Sequence, residues 1–188
     1  MKMLIRAGGL LALLCMAGLA PAADKNKDKN QDQMVTVTPE KPAAAPTATG
    51  PMVIYDTALK SGWQNWSWAK TELSLEVPGA ARKPIKVEAG PWQALYLQHE
   101  AMSTAGYKQL HLLIQGTAPD GLVRILAIVN GKPVGEGHQV KLGNSGWTRV
   151  VTPLAELGVE NQSIDGFWVQ NATAAPLPKF YVTEIRLE

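Results

Sequence analysis

Cysteine is almost absent: the 188 residues contain one, Cys15. It sits behind Leu13 and Leu14 in the apolar run Ala7 to Leu19, without the small residue that a lipoprotein cleavage site places before its cysteine. Lys2 and Arg6 precede that run and Ala20-Pro21-Ala22 follows it, so residues 1–22 read as a secretory signal peptide cleaved after Ala22. Long apolar stretches are lacking too. The run falls short of the roughly 20 residues a spanning helix needs, so no membrane span is expected after cleavage. A mature chain without cysteine excludes a disulfide-dense scaffold. It must be held by its core or by a metal, which suits a secreted or periplasmic protein.

Net charge is the next thing missing. The formal +2 is accounted for by Lys2 and Arg6, leaving the mature chain neutral. A neutral chain disfavours a phosphate-tracking nucleic-acid binder, and nucleic acid is not an expected partner. Catalytic signatures are also absent: no Gly-x-Ser-x-Gly elbow, phosphate loop or His-Glu-x-x-His helix occurs. Glu72, Glu76, Glu88, Glu100, Glu136 and Asp165 show no spacing that selects a glycosidase pair, so no enzyme is expected. His99, His111 and His138 fall on separate segments without a cysteine partner, which argues against zinc.

Residues 23–50 open with the polar run DKNKDKNQDQ and close with PEKPAAAPTATG, a composition unable to bury a core. They read as a disordered, extended linker. Residues 51–188 are long enough for one domain. Their apolar positions recur at period two: Leu110, Leu112, Ile114; Val123, Ile125, Ala127, Val129; Thr148, Val150, Thr152; Phe167, Val169. Turn signals stand between the runs at Pro78-Gly79, Gly90-Pro91, Asp120-Gly121, Asn130-Gly131, Gly143-Asn144 and Asp165-Gly166. About ten short strands are expected, with helix limited to single turns at residues 57–61 and 153–157. The fold class is all-β: a two-sheet antiparallel β-sandwich of jelly-roll type.

Aromatic residues are only 6% of the chain, yet GWQNWSWAK puts Trp63, Trp66 and Trp68 within six positions. They serve either as a core anchor or as a stacking platform. The spacing puts Trp66 and Trp68 on one side of a strand, one of them mostly buried, with Trp63 at its entrance. In WQALYLQH, alternation sends Leu95 and Leu97 inward and Trp92, Tyr96 and Gln98 outward. DGFWVQN repeats the split with Trp168 and Gln170 outward, and QLHLLIQ with His111 and Gln115. If these strands are neighbours in one sheet, those seven residues, joined by Arg124, line a shallow groove of rings and amides. Such a surface suits sugars, whose C–H faces lie on rings while amide, imidazole and guanidinium groups bond the hydroxyls. The competing reading packs the rings under loops or a sheet edge.

The series VIYDTALKSGWQNWSWA, WQALYLQH, GWTRVVTPLAELGV, IDGFWVQN and FYVTEIRL resembles the jelly-roll, galactose-binding-like domains found as carbohydrate-binding modules on secreted glycan-active proteins. The resemblance spans residues 52–188 and implies a noncatalytic, lectin-like module. Many such relatives hold a structural calcium near the first and last strands. The resemblance therefore points to Asp56 and Glu184 as candidate ligands, although Thr183 stands where those relatives usually carry an aspartate, which depletes the oxygen set calcium prefers. The expected protein is a secreted, monomeric β-sandwich binding a polysaccharide or other glycan without a required cofactor. The alternative is a structural or adhesive envelope protein whose aromatic face meets a partner protein. If residues 23–50 form a linker, trypsin should cut at Lys25, Lys27 and Lys29 before any site within 51–188, as mass spectrometry would show; protection of these lysines refutes the linker.

Overall fold

The computed structural model describes residues 50–188; the expected signal peptide and almost all of the expected linker lie outside the described residues. Twelve strands form: β1 (Met52–Tyr55), β2 (Gln64–Asn65), β3 (Lys70–Glu72), β4 (Ile85–Glu88), β5 (Ala94–Ser103), β6 (Gln109–Gly116), β7 (Gly121–Val129), β8 (Lys132–Pro133), β9 (His138–Leu142), β10 (Thr148–Pro153), β11 (Ser163–Asn171) and β12 (Phe180–Leu187). One sheet runs β10-β6-β12-β4-β3 with β1 also on β12; the other runs β2-β5-β11-β7-β8 with β9 also on β7. Every pairing is antiparallel. This is the expected β-sandwich.

Period-two alternation fills the space between the sheets. Leu110, Leu112, Ile114, Val182 and Phe180 come from one side; Leu95, Leu97, Val123, Ile125, Phe167 and Val169 come from the other, all in one buried cluster. Ala94, Leu113, Leu126 and Ile128 are also buried but lie outside that cluster, because alternation turns them to the outer faces. Asn130 and Gly131, at φ 51° and 71°, form the two-residue turn that joins β7 to β8, as the sequence signal anticipates.

Three expectations need correction. Asp165-Gly166 is no turn: both residues lie inside β11, where the register to β5 shifts between Ile164 and Gly166. At Gly166 (φ 151°) a Cβ would collide with the Leu97 carbonyl oxygen and come within 2.9 Å of the Tyr96 ring, so glycine lets backbone and ring approach closely. The single turns at 57–61 and 153–157 form no helix; Pro153 ends β10, and its carbonyl accepts from the Leu157 N–H at 3.3 Å. The buried tryptophan of the cluster is Trp63, at 4% exposure, whereas Trp66 and Trp68 are 58% and 41% exposed. Gly62, at φ 82°, turns the chain so that Trp63 points inward. There its ring lies nearly parallel to Phe167 at 6.0 Å and packs on His99 at 5.1 Å.

Trp63 is therefore the anchor. Trp63→Ala should lower unfolding free energy by about 3–5 kcal/mol, while Trp66→Ala and Trp68→Ala should each cost about 1–2 kcal/mol, as measured by urea denaturation.

Candidate functional site

The outer face of the second sheet is built by its register. β11 is central, with β5 on one side and β7 on the other. Tyr96, Trp168 and Leu126 stand opposite one another in one row; Ala94, Gln170 and Arg124 form the next, and Gln98, Gly166 and Ile128 a third. Inward-facing Leu95, Leu97, Phe167 and Val169 occupy the core side, so Tyr96 and Trp168 must face out.

Trp66 and Trp68 complete this face. Beyond the two-residue β2, the chain continues along the edge of β5: the Trp66 N–H donates to the Tyr96 carbonyl (2.9 Å) and the Ala69 N–H to the Ala94 carbonyl (3.1 Å). The rings then meet edge to face in series: Trp66 with Tyr96 at 6.2 Å, Tyr96 with Trp168 at 5.9 Å, and Trp168 with Trp68 at 4.7 Å. Such T-shaped pairs are each worth about 0.5–1.5 kcal/mol beyond area burial, which holds the rings in place.

Trp92 stands at the end of the array, 49% exposed and at φ 60°. That conformation costs a bulky residue on the order of 1–2 kcal/mol and must be held from outside. Its carbonyl accepts from Gln170 Nε2 at 2.7 Å and from Trp68 Nε1 at 3.3 Å. Arg124 donates through Nε to Gln170 Oε1 at 2.8 Å, and its guanidinium carbon lies 5.9 Å from the Trp92 ring centroid. The Trp66 indole N–H donates to Gln64 Oε1 at 3.0 Å, and Gln98 Nε2 to the His99 carbonyl at 2.7 Å. Burial, followed by the charge of Asp165, raises the Tyr96 phenol above its ordinary pKa, so it stays a neutral donor and acceptor.

Of the residues expected to share a groove, Trp92, Tyr96, Gln98, Arg124, Trp168 and Gln170 do lie together on this sheet. His111 and Gln115 do not. They sit on β6, which pairs with β10 and β12 in the opposite sheet, so the full thickness of the sandwich separates them from the rings. His111 is buried there, its Nε2 3.1 Å from Gln109 Oε1 and 3.3 Å from Glu188 Oε2; burial holds its pKa below the ordinary value. Trp66 and Trp68, one of which the sequence reading expects to be buried, are both members of this face instead. The signal was their two-residue spacing beside a polar, strand-breaking sequence, which carries no information about the sheet edge the segment joins.

The residues named for calcium fit a metal poorly. Asp56 Oδ1 accepts from the N–H groups of Thr57 and Ala58 and lies 3.5 Å from Lys60 Nζ. The Thr57 N–H, foremost among these contacts, holds the Asp56 carboxyl below the usual range. Glu184 Oε1 accepts from Arg82 Nε at 2.6 Å, and the Thr183 hydroxyl donates to the Asp56 carbonyl at 2.9 Å. Among the described residues no three of His, Cys, Asp and Glu gather, whereas calcium takes six to eight oxygens.

Among solved structures, family 29 carbohydrate-binding modules superpose with a TM-score of 0.54: one at 14% identity over 73% of this chain and 87% of that one. Two variants of such a module, one complexed with cellulohexaose and one with mannohexaose, match at 15% identity and the same TM-score, over 73% of this chain and 89% and 90% of theirs. At this identity the likeness is one of fold, and the resemblance read from the sequence is borne out at that level. An endoglucanase of Dictyostelium discoideum is 24% identical over 142 residues, covering 70% of this chain; the chain spans 20% of that enzyme's length. No family model matches.

With both carboxylates held by cationic side chains, EDTA should leave the thermal midpoint unchanged and added calcium should not raise it; a calcium-dependent rise of several degrees would place an ion at Asp56 and Glu184.

Proposed function

We propose that this chain is a noncatalytic carbohydrate-binding module, exported as a monomer, that holds a β-linked glycan along the platform of Trp66, Trp68, Trp92, Tyr96 and Trp168. The observation that carries the reading is the exposure of Trp66, Trp68 and Trp92 on one sheet face while Trp63 alone of the cluster serves the core. Rings left in water at the cost of about 25 cal/mol per Å² of apolar surface are expected to meet a ligand. Sugar C–H faces would lie on the rings. The Tyr96 hydroxyl and the terminal nitrogens of Arg124, which make no side-chain hydrogen bond among the described residues, would take the hydroxyls.

Two neighbours that share the fold are complexed with cellulohexaose and mannohexaose, which makes β-linked glucan and mannan the first ligands to try. The likeness to a fifth of an endoglucanase fits an accessory module, since the platform offers rings and amides rather than a facing pair of carboxylates. Among the described residues no helix is long and apolar enough to cross a membrane, and secretion rests on the sequence of residues 1–22.

In affinity gel electrophoresis on soluble β-glucan and mannan, the parent chain should be retarded. Trp92→Ala or Trp168→Ala should weaken retention about tenfold or more, equivalent to about 1.4 kcal/mol, with the thermal midpoint changing far less for the more exposed Trp92 than for Trp168. Absence of retardation by every β-glucan and mannan tried, with rings that matter only to stability, would leave the adhesive alternative in front.

A further inference from the structure

The opposite sheet carries a second concavity that the platform does not use. It is a cleft of about 660 Å³ on the outer face of the first sheet, within the size range of small-ligand sites. Its floor follows from register. Gln115 on β6 stands opposite Tyr181 on β12, and Trp147 lies just before Thr148, which stands opposite Ile114. Trp147, Gln115 and Tyr181 thus stand side by side across three strands, their inward neighbours Ile114 and Val182 being in the core. The segment before β4 supplies an apolar wall through Val77, Ala80 and Pro84.

The glutamine of this cleft differs from those of the platform in one respect. On the platform, the amides of Gln98 and Gln170 and the indole N–H groups of Trp66 and Trp68 are hydrogen-bonded within the protein. In the cleft, the Gln115 amide, the Trp147 indole N–H and the Tyr181 hydroxyl make no hydrogen bond with any described residue. Donors and acceptors are left open between two rings and an apolar wall.

Charge narrows the ligand. Asp56, Glu184 and Arg82 line the cleft, and both carboxylates are already paired, Asp56 with Lys60 and Glu184 with Arg82. An anion would meet these carboxylates with no free cation among the lining residues to hold it. Trp147 and Tyr181 form no ring pair and have Gln115 between them in register, so they do not box a cation as an aromatic cage does. A neutral, ring-shaped molecule edged with hydroxyls satisfies all of these constraints.

We infer that the Trp147–Gln115–Tyr181 cleft is a second saccharide-binding site, taking one or two neutral sugar units, on the sheet opposite the platform. The chain would then be bivalent: one face laid along a polymer, the other holding a short segment or end of a second chain. Joining two weak sites in one rigid domain raises avidity for a glycan network without new contacts.

The test is residue-resolved NMR of the full mature chain, titrated separately with cellobiose, mannobiose and lactose to about 10 mM, a range suited to weak single-sugar affinity. The inference requires at least one sugar to give saturable shifts at the Trp147 indole N–H, the Gln115 side-chain amide and the backbone amides of Arg82 and Glu184. Gln115→Leu, which keeps the volume and deletes the amide, should weaken that titration about tenfold; Tyr181→Phe serves if the leucine variant loses its native spectrum. Unmoved cleft signals with all three sugars overturn the inference, and so do shifts produced by choline but by no sugar. The two sites are read separately: movement confined to Trp66, Trp68 and Trp92 refutes the cleft and keeps the platform, and movement confined to the cleft does the reverse.

Discussion

Packing of Leu95, Leu97, Phe167 and Val169 into the space between the sheets leaves Tyr96 and Trp168 no place but the outer face, and the rest of the platform depends on that constraint. Side chains alternate along a strand, so a core position and a surface position are chosen together. A one-residue slip of β11 against β5 would carry the rings into the core and the aliphatic groups into water. The register shift just before Gly166 keeps the two strands in step over the segment that matters, and the missing Cβ there makes room for the Tyr96 ring.

Once the register is set, the platform stabilises its own geometry. Trp92 occupies a backbone conformation that a tryptophan adopts only under constraint, and its carbonyl is tied by Gln170 and Trp68. Gln170 in turn holds Arg124 beside the Trp92 ring. A surface whose rings and amides are already fixed loses little conformational freedom when a ligand arrives, which is how rigid aromatic residues contribute affinity from a small contact area. The neutral charge of residues 23–188 fits the proposed function: an uncharged polymer is held by stacking and hydrogen bonding, neither of which requires a field of one sign.

The two outer faces differ in shape and in the groups they display. The platform exposes ring surface while its glutamine amides bond within the protein. The cleft has fewer rings, is concave, and leaves the Gln115 amide open. A flat face of rings suits an extended chain that can slide and still stack. A concave face with open donors and acceptors suits a short unit that can be enclosed.

Much of this was legible in the residues themselves. Period two in Leu110-Leu112-Ile114 and in Phe167-Val169 determined strands and their inward faces, because alternation is a local property of extended backbone. Asn130-Gly131 determined a hairpin turn for an equally local reason. Which strands become neighbours is not local. His111 and Gln115 carry the same pattern as Tyr96 and Gln98, yet β6 joins the other sheet, since strand pairing is settled by long-range packing that no single segment encodes. The same holds for the tryptophan cluster and for Asp165-Gly166. Gly62 turns Trp63 onto Phe167, the edge of β5 carries Trp66 and Trp68 outward, and a dipeptide that reads as a turn becomes a bulge once strands lie on both sides of it. Residue chemistry determined that rings would be displayed; only the tertiary structure decided which ones, beside which partners, and on which of two faces.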